Sequence, residues 1–330
     1  MPRLSDTQVQ QRPLIAIVGP TAVGKSRLAC DLAAALDCEI LAADSRQVYR
    51  GMDIGTDKPS ITERQAVPHR LIDLVEPDQP FNTGLYRRLA IASIEAQYDN
   101  RRLPLVVGGT GLYVRTLLRG LCPAPPSDPV IRETLRHEIK LHGRDALYAQ
   151  LVKCDPVTAA RLHPSDQSKV LRALEVYRLS GRPLSEFQRQ HGFSEHPFQP
   201  LIIGLNRSRE ALYKRIEDRI DWQLANGLLD ETKALLARGY RRDLPAMKGL
   251  GYRHISSYLA GEYDFHEMVR RFKQDTRRFA KRQMTWFRKE PGIHWLTCEE
   301  SEPPAATMER ALQRIEYFLA GLEDRRMSQC

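Results

Sequence analysis

Apolar residues along this chain follow two alternating patterns. Short β-branched or apolar runs occur at residues 14–18, 39–43, 70–75, 105–107, 201–205 and 293–296, each bounded by Gly, Pro or charged residues. Between them, apolar positions recur every three or four residues, the period of one helix face. Short bounded runs of this kind predict buried parallel strands. Their alternation with helical stretches predicts an α/β fold, a doubly wound parallel sheet with its ligand edge at the strand C-terminal ends. The alternation breaks after Gly120. Cys122-Pro-Ala-Pro-Pro-Ser-Asp-Pro129 is a proline-dense stop, with Ser127 or Asp128 placed to cap a helix that carries Pro129 in its first turn. From there to about Gln199 the pattern is helical only, through Leu135, Ile139, Leu147, Leu151, Leu171, Leu174 and Val176. The expectation is therefore a core made of residues 13–120 and 200–330, interrupted by a helical insertion domain at 121–199. Residues 1–12 are polar and lack an apolar centre, so they read as a disordered tail and not as a signal peptide.

The first apolar run leads into Gly19, Pro20, Thr21, Ala22, Val23, Gly24, Lys25 and Ser26, which spell G-x-x-x-x-G-K-S. A strand before and a helical pattern after give this P-loop its required context. Backbone N–H groups of such a loop point at phosphate oxygens, Lys25 adds a positive charge, and the Ser26 hydroxyl suits Mg2+. The fold expected is thus P-loop NTPase-like, with phosphates at a helix N-terminus. Asp44 ends the second run, where reacting groups meet in open α/β sheets. It could act as a proton acceptor, as an outer partner of the metal, or as a turn residue.

Composition narrows the class. With 42% hydrophobic and 28% charged residues, the chain reads as globular, and no apolar stretch approaches the roughly 18–20 residues of a membrane span. Its six cysteines show no C-x-x-C pair, which fits a reducing cytoplasmic setting without structural zinc. The net charge is +9 and points to a polyanionic partner. Between Asp264 and Lys289, nine Lys and Arg face only Asp264, Glu267 and Asp275. Val269, Phe272, Thr276, Phe279, Gln283 and Trp286 are spaced as a core-facing stripe there, with Arg270, Arg277, Lys281 and Arg288 as a row suited to RNA phosphates.

Further strings are more specific than the P-loop. They are Asp44-Ser-Arg-Gln-Val-Tyr49 with the following Gly51-Met-Asp-Ile-Gly-Thr-Asp-Lys-Pro59, and Gly108-Gly-Thr-Gly-Leu-Tyr113. Pro68-His-Arg-Leu-Ile-Asp73, Asp166-Gln-Ser-Lys-Val-Leu-Arg172, Arg209-Glu-Ala-Leu-Tyr-Lys-Arg-Ile-Glu-Asp-Arg219, Met247-Lys-Gly-Leu-Gly-Tyr252 and Lys281-Arg-Gln-Met-Thr-Trp-Phe-Arg288 complete the set. Together they resemble the bacterial tRNA dimethylallyltransferases, also called tRNA isopentenyltransferases of the IPP transferase family, from about residue 13 to 297.

The resemblance implies a prenyltransferase that moves a dimethylallyl group from dimethylallyl diphosphate to N6 of adenosine 37, beside the tRNA anticodon, releasing diphosphate. It implies Mg2+ as cofactor, the tRNA anticodon stem-loop and dimethylallyl diphosphate as partners, a cytoplasmic monomer, and no membrane. Lys25, Asp44 and Thr110 would be catalytic, together with Arg215 and Arg219, either of which suits the diphosphate charge. Contacts to tRNA would come from Asp44, Ser45, Arg46 and Gln47, from Thr110 and Arg132, and from Ser168, Lys169, Val170, Leu171 and Arg172. Ser168-Lys169 stands where the family pattern has Gln-Arg; the positive charge is kept. Two more segments are implied: Met247, Lys248, Gly249, Leu250, Gly251 and Tyr252, then Lys281, Arg282, Gln283, Met284, Thr285, Trp286, Phe287 and Arg288. The rival classes are a small-molecule kinase, which would share the P-loop and use Asp44 toward a hydroxyl, and an RNA-binding NTPase switch.

Overall fold

All six apolar runs become strands of one sheet in the computed structural model, which describes residues 3–327. The strands are β1 (Pro13–Val18), β2 (Ile40–Ala42), β3 (His69–Arg70), β4 (Leu105–Gly108), β5 (Gln199–Asn206) and β6 (Ile293–Thr297). They lie in the order β3-β2-β4-β1-β5-β6, and every neighbouring pair is parallel. β1 is buried along its whole length between β4 and β5, as a continuous apolar run in a two-sided sheet should be. The 70–75 run contributes only its first residue to β3. Leu71 and Asp73 take φ of 66° and 53°, outside the extended region, and Val75 rejoins through an isolated bridge to Tyr49.

The helices, in chain order, are α1 (Asp6–Gln11), α2 (Lys25–Leu36), α3 (Ile61–Ala66), α4 (Thr83–Asp99), α5 (Gly111–Arg119), α6 (Pro129–Cys154) and α7 (Pro156–Ala159). They continue as α8 (Gln167–Ser180), α9 (Leu184–His191), α10 (Arg209–Ala225), α11 (Leu228–Ala237), α12 (Leu250–Leu259), α13 (Phe265–Phe287) and α14 (Pro304–Met327). No helix among the described residues is long and apolar enough to cross a membrane.

The chain divides into two compact units, Met1–Leu118 with Pro197–Cys330, and Arg119–His196. The first holds the sheet and one continuous core that includes Ile15, Ile17, Leu41, Leu105 and Ile203. The second is helical. Asp128 caps α6 through the N–H groups of Val130 and Ile131, with Pro129 at the first turn, and α6 bends at Gly143. Leu135, Leu147, Leu151, Val170 and Leu174 form its own core.

The amino-terminal stretch is a correction to the sequence expectation. Ser5 and Gln8 form a reciprocal capping box on α1, and Leu4 is buried. Gln8 and Gln11 donate to the Leu319 and Leu322 carbonyls of α14 at 3.4 and 2.6 Å. Polarity in this stretch does not mean disorder, because the polar groups serve as caps and cross-links. Met1 and Pro2 of that stretch, and Cys330, lie outside the described residues.

The sheet order sets the location of the site. From β1 the chain crosses to β2 on one side, and from β4 it crosses to β5 on the other. The loops after β1 and β4 therefore diverge at a topological switch point, where open α/β sheets bind ligands.

Candidate active site

β1 delivers the chain into the Gly19–Ser26 loop, and Gly24, at φ 111°, starts α2 without any side-chain cap. The first N–H groups of α2 are thus left for an anion, on the positive end of the helix dipole. Lys25 Nζ folds back onto the Pro20 carbonyl at 2.7 Å. Burial pushes its ammonium down to about 8, against the pull of Asp44 and Asp57 and with the repulsion of Arg219. A diphosphate placed beside it would favour the charged form.

Arginines converge on this loop from the segment after β5. Arg215 Nε donates to the Ala22 carbonyl at 2.9 Å, and burial with repulsion from Arg207 lowers its pKa. Arg219, one turn further along α10, donates to Thr21 Oγ1 at 2.7 Å and to Asp57 Oδ2 at 3.1 Å. In sequence the two are alternatives; in the structure both touch the loop. Two of the nearby carboxylates are engaged elsewhere, Glu217 by Arg277 and Asp221 by Lys273 at 2.7 Å. Arg207 is an addition that sequence reasoning missed. Its Nε donates to the Val23 carbonyl at 2.9 Å, and its place just past the tip of β5 was the available signal.

Opposite the P-loop stands the turn after β2. Asp44 Oδ1 accepts the N–H groups of Arg46 (2.7 Å) and Gln47 (3.3 Å), so Asp44 shapes the turn with one oxygen. Thr110 Oγ1 accepts the Ser45 N–H at 3.1 Å, and the Thr110 N–H donates to the Ala43 carbonyl at 3.2 Å. Arg46 reaches the Pro245 carbonyl at 2.5 Å, and Gln47 Nε2 the Asp57 carbonyl at 2.9 Å. The Asp44 turn, the loop after β4 and the Asp57 segment are therefore hydrogen-bonded together. Asp57 in turn holds Arg219 against the P-loop.

The glycines of G-G-T-G are demanded by close approach. A Cβ on Gly108 would strike the Ala43 backbone, and one on Gly111 would strike the Trp286 ring. Gly109 admits the amide of Gln283, whose Nε2 donates to the Gly109 carbonyl at 2.9 Å. The same amide accepts the Thr21 N–H at 2.8 Å through Oε1. Gln283 thus joins the P-loop to the loop after β4.

Several residues expected to face tRNA are instead structural supports. Gln283 and Phe287 are buried, and Trp286 is half-buried with the Arg115 guanidinium 4.4 Å from its ring centroid. Met284 is also half-buried, while Lys281, Arg282, Thr285 and Arg288 are exposed. The expected stripe of α13 is core-facing at Phe272, Thr276 and Gln283, which are buried, and at Val269 and Trp286, which pack half-buried against the core. Phe279 is exposed instead, and Met268, Ala280 and Phe287 complete the buried side. Arg270 is bound to Glu267 and Arg277 to Glu217, so those two members of the expected phosphate row carry carboxylate partners.

Met247 and Tyr252 are buried, as is Gly251, leaving Lys248 exposed and Leu250 half-buried. Gly249 is buried as well, with a Cβ there meeting the Tyr252 ring at 3.1 Å. The Tyr252 hydroxyl donates to Glu231 at 2.6 Å, and Glu231 also accepts the N–H groups of Asp53, Ile54 and Gly55. In the helical unit, Val170 is core and Leu171 packs against it. Arg132 and Arg172 both bind Glu175, whose side chain is fully buried. Lys169 is exposed beside Asp166 at 2.9 Å, with Ser168 next to it on the first turn of α8.

No group of three or more His, Cys, Asp or Glu among the described residues could hold a metal ion unaided. The Ser26 hydroxyl at the start of α2 is a hard oxygen that fits Mg2+, with phosphate oxygens supplying most of the other ligands.

Residues 47–290 match the family model described as IPP transferase. The tRNA dimethylallyltransferase 1 of Trichlorobacter lovleyi is 48% identical over 288 residues, 87% of this chain and 94% of that protein. The tRNA dimethylallyltransferase of Syntrophobacter fumaroxidans is 48% identical over 298 residues, 90% of this chain and 87% of its own. Among solved structures, the tRNA isopentenylpyrophosphate transferase of Bacillus halodurans superposes with a TM-score of 0.70 at 37% identity, covering 96% of this chain and 99% of that one. A eukaryotic dimethylallyltransferase acting on tRNA gives a TM-score of 0.81 at 28% identity, covering 94% of this chain and 80% of its own.

Proposed function

The chain belongs to the IPP transferase family, and from that membership we propose that it is a tRNA dimethylallyltransferase, joining the dimethylallyl group of dimethylallyl diphosphate to N6 of adenosine 37 beside the tRNA anticodon. The observation that carries the reading is the joining of a phosphate cradle to a carboxylate-bearing turn. The Gly19–Ser26 loop and the Asp44 turn are linked through Thr110, Asp57, Arg219 and Gln283.

The chemistry follows from charge. The C–O bond between the allylic carbon and the diphosphate breaks, and the electron pair leaves with the diphosphate. Lys25, Arg215, Arg219 and the first N–H groups of α2 neutralise that developing charge. The N6 nitrogen forms the new C–N bond and gives one proton to Asp44, whose Oδ1 is committed to the turn. Mg2+ held at Ser26, when bound, would add Lewis-acid stabilisation of the diphosphate. Thr110 fixes the turn through Ser45 and so positions Asp44. The tRNA contacts in this reading come from the Asp44–Gln47 turn and from exposed Lys248, Lys281, Arg282 and Arg288, with Ser168 and Lys169 on the helical unit. A monomer acting in the cytoplasm, where both substrates would be met, completes the proposal.

Asp44→Asn tests it. The amide keeps an acceptor for the turn but loses the basic oxygen, so kcat should fall by roughly 10²–10⁴ while tRNA Kd stays within a few-fold. A parallel loss in Kd and kcat would make Asp44 a recognition residue and remove the proposed base.

A further inference from the structure

Beyond the P-loop, the sheet-bearing unit holds a second polar cavity of about 460 Å³ between α12 and α13. Arg253, Arg270, Arg271 and Arg278 line it together with Gln274. The carboxylates on its wall are Asp275 and Glu262, and both are already committed. Glu262 binds Arg242 at 2.5 Å, while Asp275 takes Arg253 at 2.6 Å and Arg278 at 3.2 Å. Arg270 and Arg271 share the single carboxylate of Glu267, at 2.6 and 2.7 Å. Each guanidinium has five N–H donors, and these pairs use one or two of them. The wall therefore has an excess of positive charge and spare donors in a rigid fork geometry suited to phosphate. The floor is fixed: buried His254 is held by Tyr263 and Asp275 at 3.2 Å each, and the Arg271 guanidinium lies 4.9 Å from the Tyr263 ring centroid.

The cavity opens onto a longer track. Arg271, Gln274, Arg278, Arg282 and Thr285 recur at helical spacing along α13, on the side away from the buried stripe. The rise from Arg271 to Thr285 corresponds to about 21 Å. A small phosphorylated molecule would cover one end of such a track; a nucleic-acid backbone supplies phosphates along all of it.

We propose that this cavity is a phosphate-binding site for the RNA backbone, extending the tRNA footprint from the Lys281–Arg288 end of α13 to Arg253 and Arg271. The proposal rests on tRNA being the substrate, and it assigns the phosphodiester contacts furthest along that helix. His254, Tyr263, Glu262 and Asp275 on its wall are engaged with one another or with arginines, so the contribution assigned to the cavity is to affinity and register.

The test is direct binding of unmodified tRNA, without any prenyl donor, to the full chain and to Arg271→Gln/Arg278→Gln. The double variant should bind tRNA at least fivefold more weakly, with the slope of log Kd against log salt reduced by about 2, one for each phosphate no longer neutralised. Arg271→Lys/Arg278→Lys should recover most of both, which separates missing charge from a damaged fold. KM for dimethylallyl diphosphate should not change. An unchanged tRNA Kd, or weaker binding with an unchanged slope, overturns the site. In a second arm, 31P line broadening of inorganic phosphate is followed in both proteins. Broadening abolished by the double variant while tRNA binding is intact would assign the cavity to a free anion and overturn the RNA proposal. Failure of the functional reading shows separately, as absence of prenyl transfer by the unmodified chain.

Discussion

Gln283 illustrates how much one side chain can settle. It lies inside a segment whose resemblance suggests tRNA contact, yet both ends of its amide are spent on backbone, at Thr21 and Gly109. Its role is to set the distance between the P-loop and the loop that carries Thr110. Gln283→Leu would leave one buried carbonyl and one loop N–H without partners, a cost of about 1–3 kcal/mol. The expected kinetic signature is a raised KM for dimethylallyl diphosphate with tRNA Kd nearly unchanged. Steady-state kinetics beside RNA binding would check this, and weakened RNA binding at constant donor KM would contradict it. Nothing in the local sequence announces the contact, because its two ends lie 262 and 174 residues away. Arg207 is hidden for the same reason. Lys25, Arg215 and Arg219 are legible because a spacing or a motif marks them without knowledge of tertiary distance.

At the scale of elements, the inner strands β1, β4 and β5 are readable because two-sided burial leaves an apolar run, and Gly or Pro marks its ends. The core-facing side of α13 is readable too, in Val269, Phe272, Thr276, Gln283 and Trp286; the exception is Phe279, which is exposed while its neighbour Ala280 is buried. The α1 cap is legible in Ser5-Asp-Thr-Gln8, though the polarity around it masks the signal. The helical unit holds a contact that the sequence does not announce. Arg132 and Arg172 stand among the tRNA contacts that the resemblance implies, and the structure shows both holding Glu175, which also accepts from Ser127 and from the Asp128 N–H at the start of α6. Burial by itself would raise the Glu175 pKa; the hydrogen bonds from Arg172, Arg132, Asp128 and Ser127 outweigh it and hold the carboxyl below its usual value. Its stabilisation is therefore present at neutral pH and is lost as pH falls below the ordinary carboxylate range. Glu175→Ala leaves two partly exposed arginines and the Asp128 N–H without their shared partner and should destabilise this unit by about 1–3 kcal/mol. Chemical denaturation followed in the full chain would show an early transition for residues 119–196; a single unshifted transition would contradict the hub.

Over the whole molecule, charge is distributed by task. Along the first half of α13, Glu217, Asp221, Glu267 and Asp275 pair with its cations, but Glu267 and Asp275 are each shared by two arginines, so an excess of positive charge remains there. Lys281, Arg282, Arg288 and Lys289, for which the structure shows no carboxylate ion pair among the described residues, gather toward its end and just beyond it, on the helix that also braces the P-loop through Gln283. The P-loop, whose motif alone would suggest phosphoryl transfer, then serves as a cradle for a leaving group. That is the central claim, and the fate of two isotopes tests it most directly. Incubate the chain with tRNA and dimethylallyl diphosphate labelled with 14C in the five-carbon group and 32P in the diphosphate, with Mg2+ present. The account predicts that 14C enters the tRNA at one adenosine while 32P appears only as free diphosphate. Recovery of 32P on RNA or another acceptor, with 14C left in the donor, would contradict it.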